Sequence, residues 1–237
     1  MLSSINKINI QISYLLLIII IYFIASSCNS TDSKKDSESN LKAGSENITS
    51  ESGSSAQDGD WLIYHIGAEP GTLNPVTATD VYESIINGGN IYETLVKRDN
   101  KTLEIIPLLA ESWDISDDKL TFIFHLKEGI KWHDGKPFTS EDVVFSYNKI
   151  MDPKVDSARL KSYYQEIKSV EALDMYTVKF KYARPYFLAL EFCGGMPLVP
   201  KHLFKNGDFN KNPAGRKPVG TGPYKFSSWE TGREIAL

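Results

Sequence analysis

Histidine and carboxylate side chains could carry acid–base or metal chemistry in this chain, so their spacing decides whether a catalytic site is encoded. The histidines are His65, His125, His133 and His202, and no pair of them has the spacing of an HExxH zinc motif. His133 and Asp134 could act as a base and its orienting group, but adjacent side chains on a turn usually diverge, and no motif places a nucleophile beside them. No serine lies in a GxSxG elbow. We therefore expect no catalytic residue, metal or cofactor, and a hydrolase that depends on His133 and Asp134 is the enzymatic alternative.

The composition is that of an ordinary globular protein. Of the 237 residues, 41% are hydrophobic and 24% are charged, which is compatible with one or two domains. The formal net charge is −4 and the sequence pI is near 5.6. Because the chain as a whole has no basic excess, nucleic-acid binding has no electrostatic support, and we exclude that class of partner.

Residues 1–28 have the pattern of an export signal. Lys7 supplies an early positive charge, and 14–25 is an unbroken apolar run that is shorter than the roughly 20 residues of a bilayer span. The run ends in small residues before Cys28, which looks like a bacterial lipoprotein signal in which this cysteine is lipidated and becomes the new N-terminus. Ala25 stands where that pattern prefers Leu, so an uncleaved membrane anchor is the alternative. Either reading predicts an exported and tethered protein.

Residues 29–59 separate this signal from the folded domain, which we expect over 60–237. The segment is rich in Ser, Asp, Glu, Lys, Asn and Gly, so it cannot bury enough apolar surface to fold. A flexible tether of about thirty residues spans on the order of 30 Å, enough for a lipid-anchored domain to reach a partner in the membrane. If Cys28 carries lipid, Cys193 has no partner and is predicted to be a buried free thiol; a disulfide between the two is the alternative.

The region from Ile106 to Tyr147 contains the clearest local signals. Leu120–Leu126 alternates apolar and mainly polar residues, which predicts a strand, and the following residues with Asp134 and Gly135 predict a hairpin-like unit. Thr139 with Asp142 three positions later forms a capping-box pattern, so a helix should begin at about Ser140 and end near Met151, before Pro153. This stretch should therefore be a rigid part of an α/β fold.

The remaining elements follow from periodicity and turn residues. Asp80 should cap a helix whose apolar positions recur through Leu95, with Gly88 and Gly89 inside it as sites of close packing. The other expectations are a first strand over Trp61–Ala68, a helix over Ser157–Lys168, a hairpin over Val170–Lys181 turning at Asp174 and Met175, a helix over Pro185–Leu190, a flexible corner at Gly194–Met196, a strand over Met196–Lys201, a helical turn at His202–Phe204, and a strand over Tyr224–Ser227 after a tight turn at Gly220–Pro223.

Three motifs in register resemble one family. Leu109–Ile150, together with EPGTLNP at Glu69–Pro75 and PVGTGPYKFSSWETG at Pro218–Gly232, is similar to the peptide and nickel class of solute-binding proteins, family 5, which serve bacterial ABC importers. The resemblance extends from about residue 60 to the end of the chain. It implies the N-terminal lobe of a two-lobed clamp of the type II periplasmic-binding-protein class, α/β with a mixed sheet and an inserted helix and hairpin subdomain over roughly 79–198. The second lobe of the family is absent from this chain, which we expect to be a fragment.

The resemblance also implies a ligand site and partners. The strand-to-loop segment before Pro75 would lie at the cleft, where extended peptides pair with protein backbone as an added strand. The candidate ligand-binding residues are Glu69, Pro70, Gly71, Thr72, Leu73, Asn74, Met196 and Tyr224, although each could instead be a loop or core residue. The expected partners are a short peptide, the permease subunits of an ABC transporter and the membrane through a lipid anchor, with the protein itself a monomer.

The sequence is also compatible with two further functions. A lipoprotein that kept one lobe and lost transport could serve a structural or interaction role. A family member could also bind a nickel chelate or an oligosaccharide instead of a peptide. The leading prediction is an extracytoplasmic, lipid-anchored binding component for oligopeptides or dipeptides, in which ligand binding shifts two lobes from an open to a closed state.

Overall fold

A computed structural model describes residues 62–237. The predicted signal peptide (1–28), its lipidation site Cys28, the tether (29–59) and Trp61 lie outside the described residues. No helix within 62–237 has the length and apolar character that crossing a membrane requires.

The described residues alternate short helices with antiparallel strands. The strands are β1 (Val96–Arg98), β2 (Ile105–Pro107), β3 (Ala110–Ile115), β4 (Thr121–Leu126), β5 (Ile167–Ala172), β6 (Thr177–Tyr182), β7 (Ser228–Glu230) and β8 (Glu234–Ala236). The helices are α1 (Val81–Asn87), α2 (Ser140–Met151), α3 (Ala158–Tyr164), α4 (Ala189–Gly194) and α5 (Lys201–Phe204), with a 3₁₀ turn at Pro213–Gly215. The strands form a four-stranded sheet in the order β3-β4-β6-β5 and two hairpins, β1-β2 and β7-β8.

The four-stranded sheet carries the core on one face. Phe122, Phe124 and Leu126 of β4 are buried, whereas the residues between them are half-buried, as the alternation predicts. Phe124 lies opposite Val178 in the register and meets the ring of Phe180 edge to face, with centroids 5.6 Å apart. Each such fully buried side chain stabilises the fold by roughly 1.5–3 kcal/mol. The predicted strand over Leu120–Leu126 and the predicted hairpin over 170–181 are therefore confirmed.

Helix α2 packs on this sheet and begins where the capping pattern predicts. The Asp142 carboxylate accepts a hydrogen bond from the Thr139 N–H at 3.0 Å, and the Tyr147 hydroxyl donates to the Ile167 carbonyl of β5 at 2.8 Å. Upstream, Phe138 and Lys136 pair with Ile130 and Trp132 around Asp134 and Gly135, which confirms the hairpin-like unit. Gly135 has a φ of 85°, a conformation that favours glycine.

Helix α1 is shorter than predicted, and its apolar face is turned outward. The helix ends at Asn87 because Gly88 is its C-cap and Gly89 adopts a φ of 73°, so the two glycines stop the helix and do not lie inside it. Val81 and Ile85 are 64% and 39% exposed. The buried positions are Glu83 and Asn87, because their side chains hold neighbouring polar groups of the fold.

Other predicted boundaries were wrong. Residues 62–68 form no strand with any described residue, and Leu62, Ile63 and Tyr64 are 94%, 89% and 69% exposed. The predicted helix over 157–168 ends at Tyr164 because 167–172 joins the sheet, and the helix expected over 185–190 starts at Ala189 and includes Gly194. Residues 196–200 are irregular, and the strand expected over 224–227 begins at Ser228.

Two other expectations were correct. The helical turn predicted at 202–204 is the end of α5. Cys193 is buried and forms no disulfide with any residue of 62–237, and burial raises the pKa of its thiol above the ordinary range.

Candidate ligand-binding segments

The segment Glu69–Pro75 is fixed to the body of the protein at its C-terminal half. The Leu73 N–H donates to the Gly215 carbonyl at 2.6 Å, and the Thr72 hydroxyl donates to the same oxygen at 3.1 Å. The Leu73 carbonyl accepts from the Asn87 amide at 2.8 Å. Both backbone groups of Leu73 are therefore occupied by protein, so an added peptide strand cannot pair there without displacing them.

A buried polar cluster supports this part of the segment from behind. The Asn87 amide also bonds the Glu83 carboxylate, which in turn accepts from the Ser84 hydroxyl at 3.2 Å. Burial raises the pKa of Glu83 above its usual range, against the opposing effect of the hydrogen bond from Asn87. Asn74 bonds the Val76 N–H through its side chain at 3.0 Å and is 2% exposed. These contacts give Asn74 and Asn87 a structural role in this unit.

The N-terminal half of the segment is held by a charged clasp. The Glu69 carboxylate accepts from the Trp229 indole N–H at 2.5 Å and from the Gly232 N–H at 3.0 Å. Arg216 lies 3.5 Å from the same carboxylate, and its guanidinium stacks 3.6 Å above the Trp229 ring. The hydrogen bond from Trp229 is the main cause of a lowered pKa at Glu69. The EPG motif and the WETG motif, which are far apart in sequence, therefore meet in the fold.

The GTGP turn packs directly against the backbone of Asn90 and Ile91. The Gly222 N–H donates to the Ile91 carbonyl at 2.9 Å, and the Tyr224 N–H donates to the Asn90 carbonyl at 3.0 Å. A Cβ atom at Gly220 would overlap the Ile91 carbonyl, so only glycine permits this approach. The turn is thus structural, as the sequence indicates, and it positions Tyr224, which is 54% exposed.

His133 holds the same turn from the other side. Its Nε2 lies 2.8 Å from the Gly222 carbonyl, and the Gly220 N–H donates to its Nδ1 at 3.3 Å. A neutral imidazole with the proton on Nε2 satisfies both contacts. Asp134 pairs instead with His202, at 2.6 Å, so His133 and Asp134 do not form the base and orienting pair of the hydrolase alternative. Among residues 62–237, no group of three His, Cys, Asp or Glu side chains is placed to hold a metal ion.

The predicted ligand-binding residues differ in the surface they present. Gly71 and Tyr224 are exposed, Glu69 presents its backbone and part of a clasped carboxylate, and Thr72 is half-buried. Pro70, Leu73, Asn74 and Met196 are buried, and Leu73 and Met196 have no exposed surface. A role for these residues in ligand binding stays a prediction, and the exposed members are the better candidates for direct contact.

Helix α1 supplies exposed apolar residues that the sequence pattern did not assign to a site. Val81 and Ile85 share one helix face, and the Ile85 carbonyl accepts from the Asn90 side chain at 3.1 Å. Asn90 is also the residue that bonds Tyr224, so the helix end and Tyr224 are neighbours. The sequence did contain a signal for this orientation, namely the polar pair Glu83 and Asn87, which are four positions apart and so lie on one helix face. A helix can bury such a polar face in place of its apolar face when the neighbouring backbone needs hydrogen-bond donors.

Beside the GTGP turn lies an open depression of about 370 Å³. Residues of the GTGP turn, the glycine that follows α1 and two charged side chains line it: Gly89, Glu93, Lys97, Leu108, Thr221, Gly222 and Pro223. Its wide mouth leaves a small molecule largely in solvent, so we assign it no ligand.

Comparison with known proteins decides the family. A family model described as bacterial extracellular solute-binding proteins, family 5, middle region, matches residues 104–237. The oligopeptide-binding protein AppA of Bacillus subtilis is 34% identical over 207 residues, which cover 84% of this chain and 37% of AppA. The chain belongs to this family. Its members are solute-binding proteins, and the fold is α/β, part of a two-lobed periplasmic-binding-protein clamp.

Two solved structures show the same fold at similar identity. AppA of Bacillus subtilis in complex with a nonapeptide has a TM-score of 0.63 and 34% identity, covering 70% of this chain and 34% of AppA. NikZ of Campylobacter jejuni in complex with Ni(L-His) has a TM-score of 0.64 and 33% identity, covering 71% of this chain and 33% of NikZ. The chain therefore spans about one third of the length of the relatives that it matches.

Proposed function

We propose that this protein is the substrate-binding component of an ABC importer, which captures oligopeptides or dipeptides outside the cytoplasmic membrane and delivers them to the permease. The observation that carries the proposal is the match to the oligopeptide-binding protein AppA over 84% of the chain. AppA is also the relative whose structure holds a nonapeptide. A lipid anchor at Cys28 would keep the protein beside the permease.

The geometry of the N-terminal segment supports peptide binding. The backbone of residues 62–68 makes no hydrogen bond with any described residue, and most of this segment is exposed. An extended peptide could pair with such free N–H and C=O groups without regard to its own side chains, which suits a ligand of variable sequence. Because Leu73 has no free backbone group, this pairing would lie upstream of Gly71 and not across the whole of Glu69–Pro75.

A titration experiment tests the ligand class. The full chain would be titrated by calorimetry with mixed dipeptides, mixed oligopeptides, a nickel–histidine chelate and oligosaccharides. Peptide binding with little sequence preference is the expected result. Heat from the chelate or the sugars alone would replace the peptide assignment with another ligand class; for the chelate, the NikZ complex with Ni(L-His) is the precedent. The absence of binding heat with every compound would favour an interaction lipoprotein that has lost transport.

Mass spectrometry of membrane-extracted protein tests the anchor separately. A diacylated N-terminal Cys28 is the expected species. An intact N-terminus, or Cys28 bridged to Cys193, would contradict lipidation. The buried position of Cys193 disfavours the bridge, because the thiol has no exposed surface.

A further inference from the structure

Positive charge is concentrated in one segment of this acidic protein. Residues 201–225 contain six Lys or Arg side chains and a single acidic residue, Asp208. Residues 62–200 contain fifteen Lys or Arg against twenty Asp or Glu, and the formal net charge of the whole chain is −4. The overall acidity therefore conceals a local basic region.

Side-chain contacts gather part of this region into a compact loop. The Asn212 amide donates to the Leu203 carbonyl at 3.0 Å, and the rings of Phe204 and Phe209 lie 4.9 Å apart. These contacts fold 205–212 back onto the end of α5, and the Lys217 N–H donates to the Pro213 carbonyl at 3.2 Å. We call 205–217 the basic loop, and its exposed lysines are Lys205, Lys211 and Lys217.

The neighbouring groups leave a positive excess. The Asn210 side chain donates to the Lys154 carbonyl and accepts from the Asp156 N–H, both at 2.9 Å, so the 152–156 turn adjoins the basic loop. Glu69 reaches Arg216 from the clasp. The charged residues on the loop, on this turn or in contact with either are therefore the cations Lys149, Lys154, Lys205, Lys211, Arg216 and Lys217 and the anions Glu69, Asp152, Asp156 and Asp208.

The three exposed lysines are not used within the unit. Of the ion pairs formed among residues 62–237, none includes Lys205, Lys211 or Lys217. By contrast, Lys201 and Arg216 in the same region pair with Glu141 and Glu69. The charge of the three lysines is therefore available to an anionic partner.

We propose that the basic loop docks on the anionic lipid headgroups of the membrane to which the chain is tethered. The inference rests on the membrane anchor of the proposed function, because an anchored tether of about thirty residues would keep the domain within tens of ångströms of the lipid surface. Such a tether would allow the basic loop to reach the bilayer surface, where lysines are attracted to anionic lipid within about a Debye length.

Lysine footprinting of the full chain in proteoliposomes tests this docking. The chain would be reconstituted in phosphatidylcholine alone or mixed with phosphatidylglycerol, and acetylation rates would be read residue by residue by mass spectrometry. We expect acetylation of Lys205, Lys211 and Lys217, and of the neighbouring Lys154, to slow by about fivefold with the anionic lipid, and the effect to vanish at high salt. Equal rates in the two lipids, or slowing that high salt does not remove, would overturn the proposal.

Matched triple variants separate local docking from a general charge effect. In Lys205→Gln/Lys211→Gln/Lys217→Gln, protection of the remaining neighbour Lys154 should disappear. In Lys101→Gln/Lys131→Gln/Lys168→Gln, which removes three exposed lysines that also form no ion pair within 62–237, protection of the basic loop should persist. Protection of Lys154 that survives the first triple variant, or is lost equally in the second, would overturn the proposal.

Peptide titration of the same proteoliposomes keeps the two proposals distinguishable. Peptide binding without lipid-dependent lysine protection would overturn docking alone. Lysine protection without peptide binding would leave docking supported and overturn the peptide assignment.

Discussion

Single buried polar residues hold together the parts of this unit that the sheet does not reach. Asp142 is the clearest case, because its carboxylate receives the Thr139 N–H at 3.0 Å, the Lys201 N–H at 2.9 Å and the Trp132 indole N–H at 3.3 Å. It therefore joins the start of α2, the start of α5 and the hairpin that contains Trp132. Burial raises the pKa of Asp142, while the bonds from Lys201 and Thr139 oppose the increase.

Removal of the Asp142 carboxylate should destabilise the unit. In Asp142→Ala three donors lose their acceptor, so we expect the free energy of unfolding to fall by about 1–3 kcal/mol. The adjacent Glu141→Ala is the control, because it removes an exposed ion pair with Lys201 and an exposed charge in the first turn of α2, and it should cost at most about 1 kcal/mol. Denaturant titration of both variants measures the difference, and equal losses would contradict the role of Asp142.

The Glu69 clasp should respond to acid. Its pKa is lowered, so the ionised carboxylate stabilises the clasp above the ordinary glutamate pKa of about 4.3, and the contribution is lost as the pH falls through the lower pKa of the folded protein. Tryptophan fluorescence titrated below pH 5 should show a transition as Trp229 loses its acceptor. The transition should be absent in Glu69→Gln, and a Glu69→Gln curve that matches the parent curve would refute the assignment.

At the scale of elements, glycine positions define how loops approach each other. Gly220 and Gly222 let the GTGP turn lie directly on the backbone of Asn90 and Ile91, and His133 bonds the turn from the opposite side. His133 and the GTGP turn, which are about ninety positions apart in the sequence, therefore meet in the fold.

Alanine at Gly220 should disturb this contact. The new Cβ would overlap the Ile91 carbonyl, and because that oxygen belongs to the backbone it cannot move aside, so we expect a loss of about 1–3 kcal/mol in the free energy of unfolding. Gly71→Ala is the matched control for stability, because no heavy atom lies within 4 Å of its added Cβ. Thermal unfolding of the two variants compares them, and a Gly220→Ala protein as stable as Gly71→Ala would contradict the close approach.

Elements with strong local signals could be predicted from the sequence, whereas those decided by tertiary contacts could not. Helix α2 and strand β4 begin and alternate as expected because capping and pleating are local properties. The prediction for helix α1 assumed that its apolar face is buried, whereas the buried face is polar. The reason is that the Leu73 carbonyl needs a donor, and this need cannot be read from the sequence. The EPGTLNP motif could be found in the sequence, but its Glu69 clasp depends on Trp229 and Arg216, which only the fold brings near.

At the scale of the whole molecule, the unit places its exposed extended segment, the outward face of α1 and Tyr224 within one part of the surface. Asn90 links α1 to Tyr224, and the Tyr82 hydroxyl packs against Gly67 of the extended segment. The proposed ligand contact is therefore made by backbone upstream of Gly71 with apolar side chains beside it.

Hydrogen exchange with and without ligand tests this central claim most directly. Amides of 62–68 form no hydrogen bond with described residues, so in the free protein they should exchange rapidly. The full chain with a saturating mixture of short peptides should show slowed exchange in 62–71, while the amide of Leu73, already bonded to Gly215, should change little. Peptide binding that leaves 62–71 unprotected, or no binding at any peptide concentration, would contradict the account.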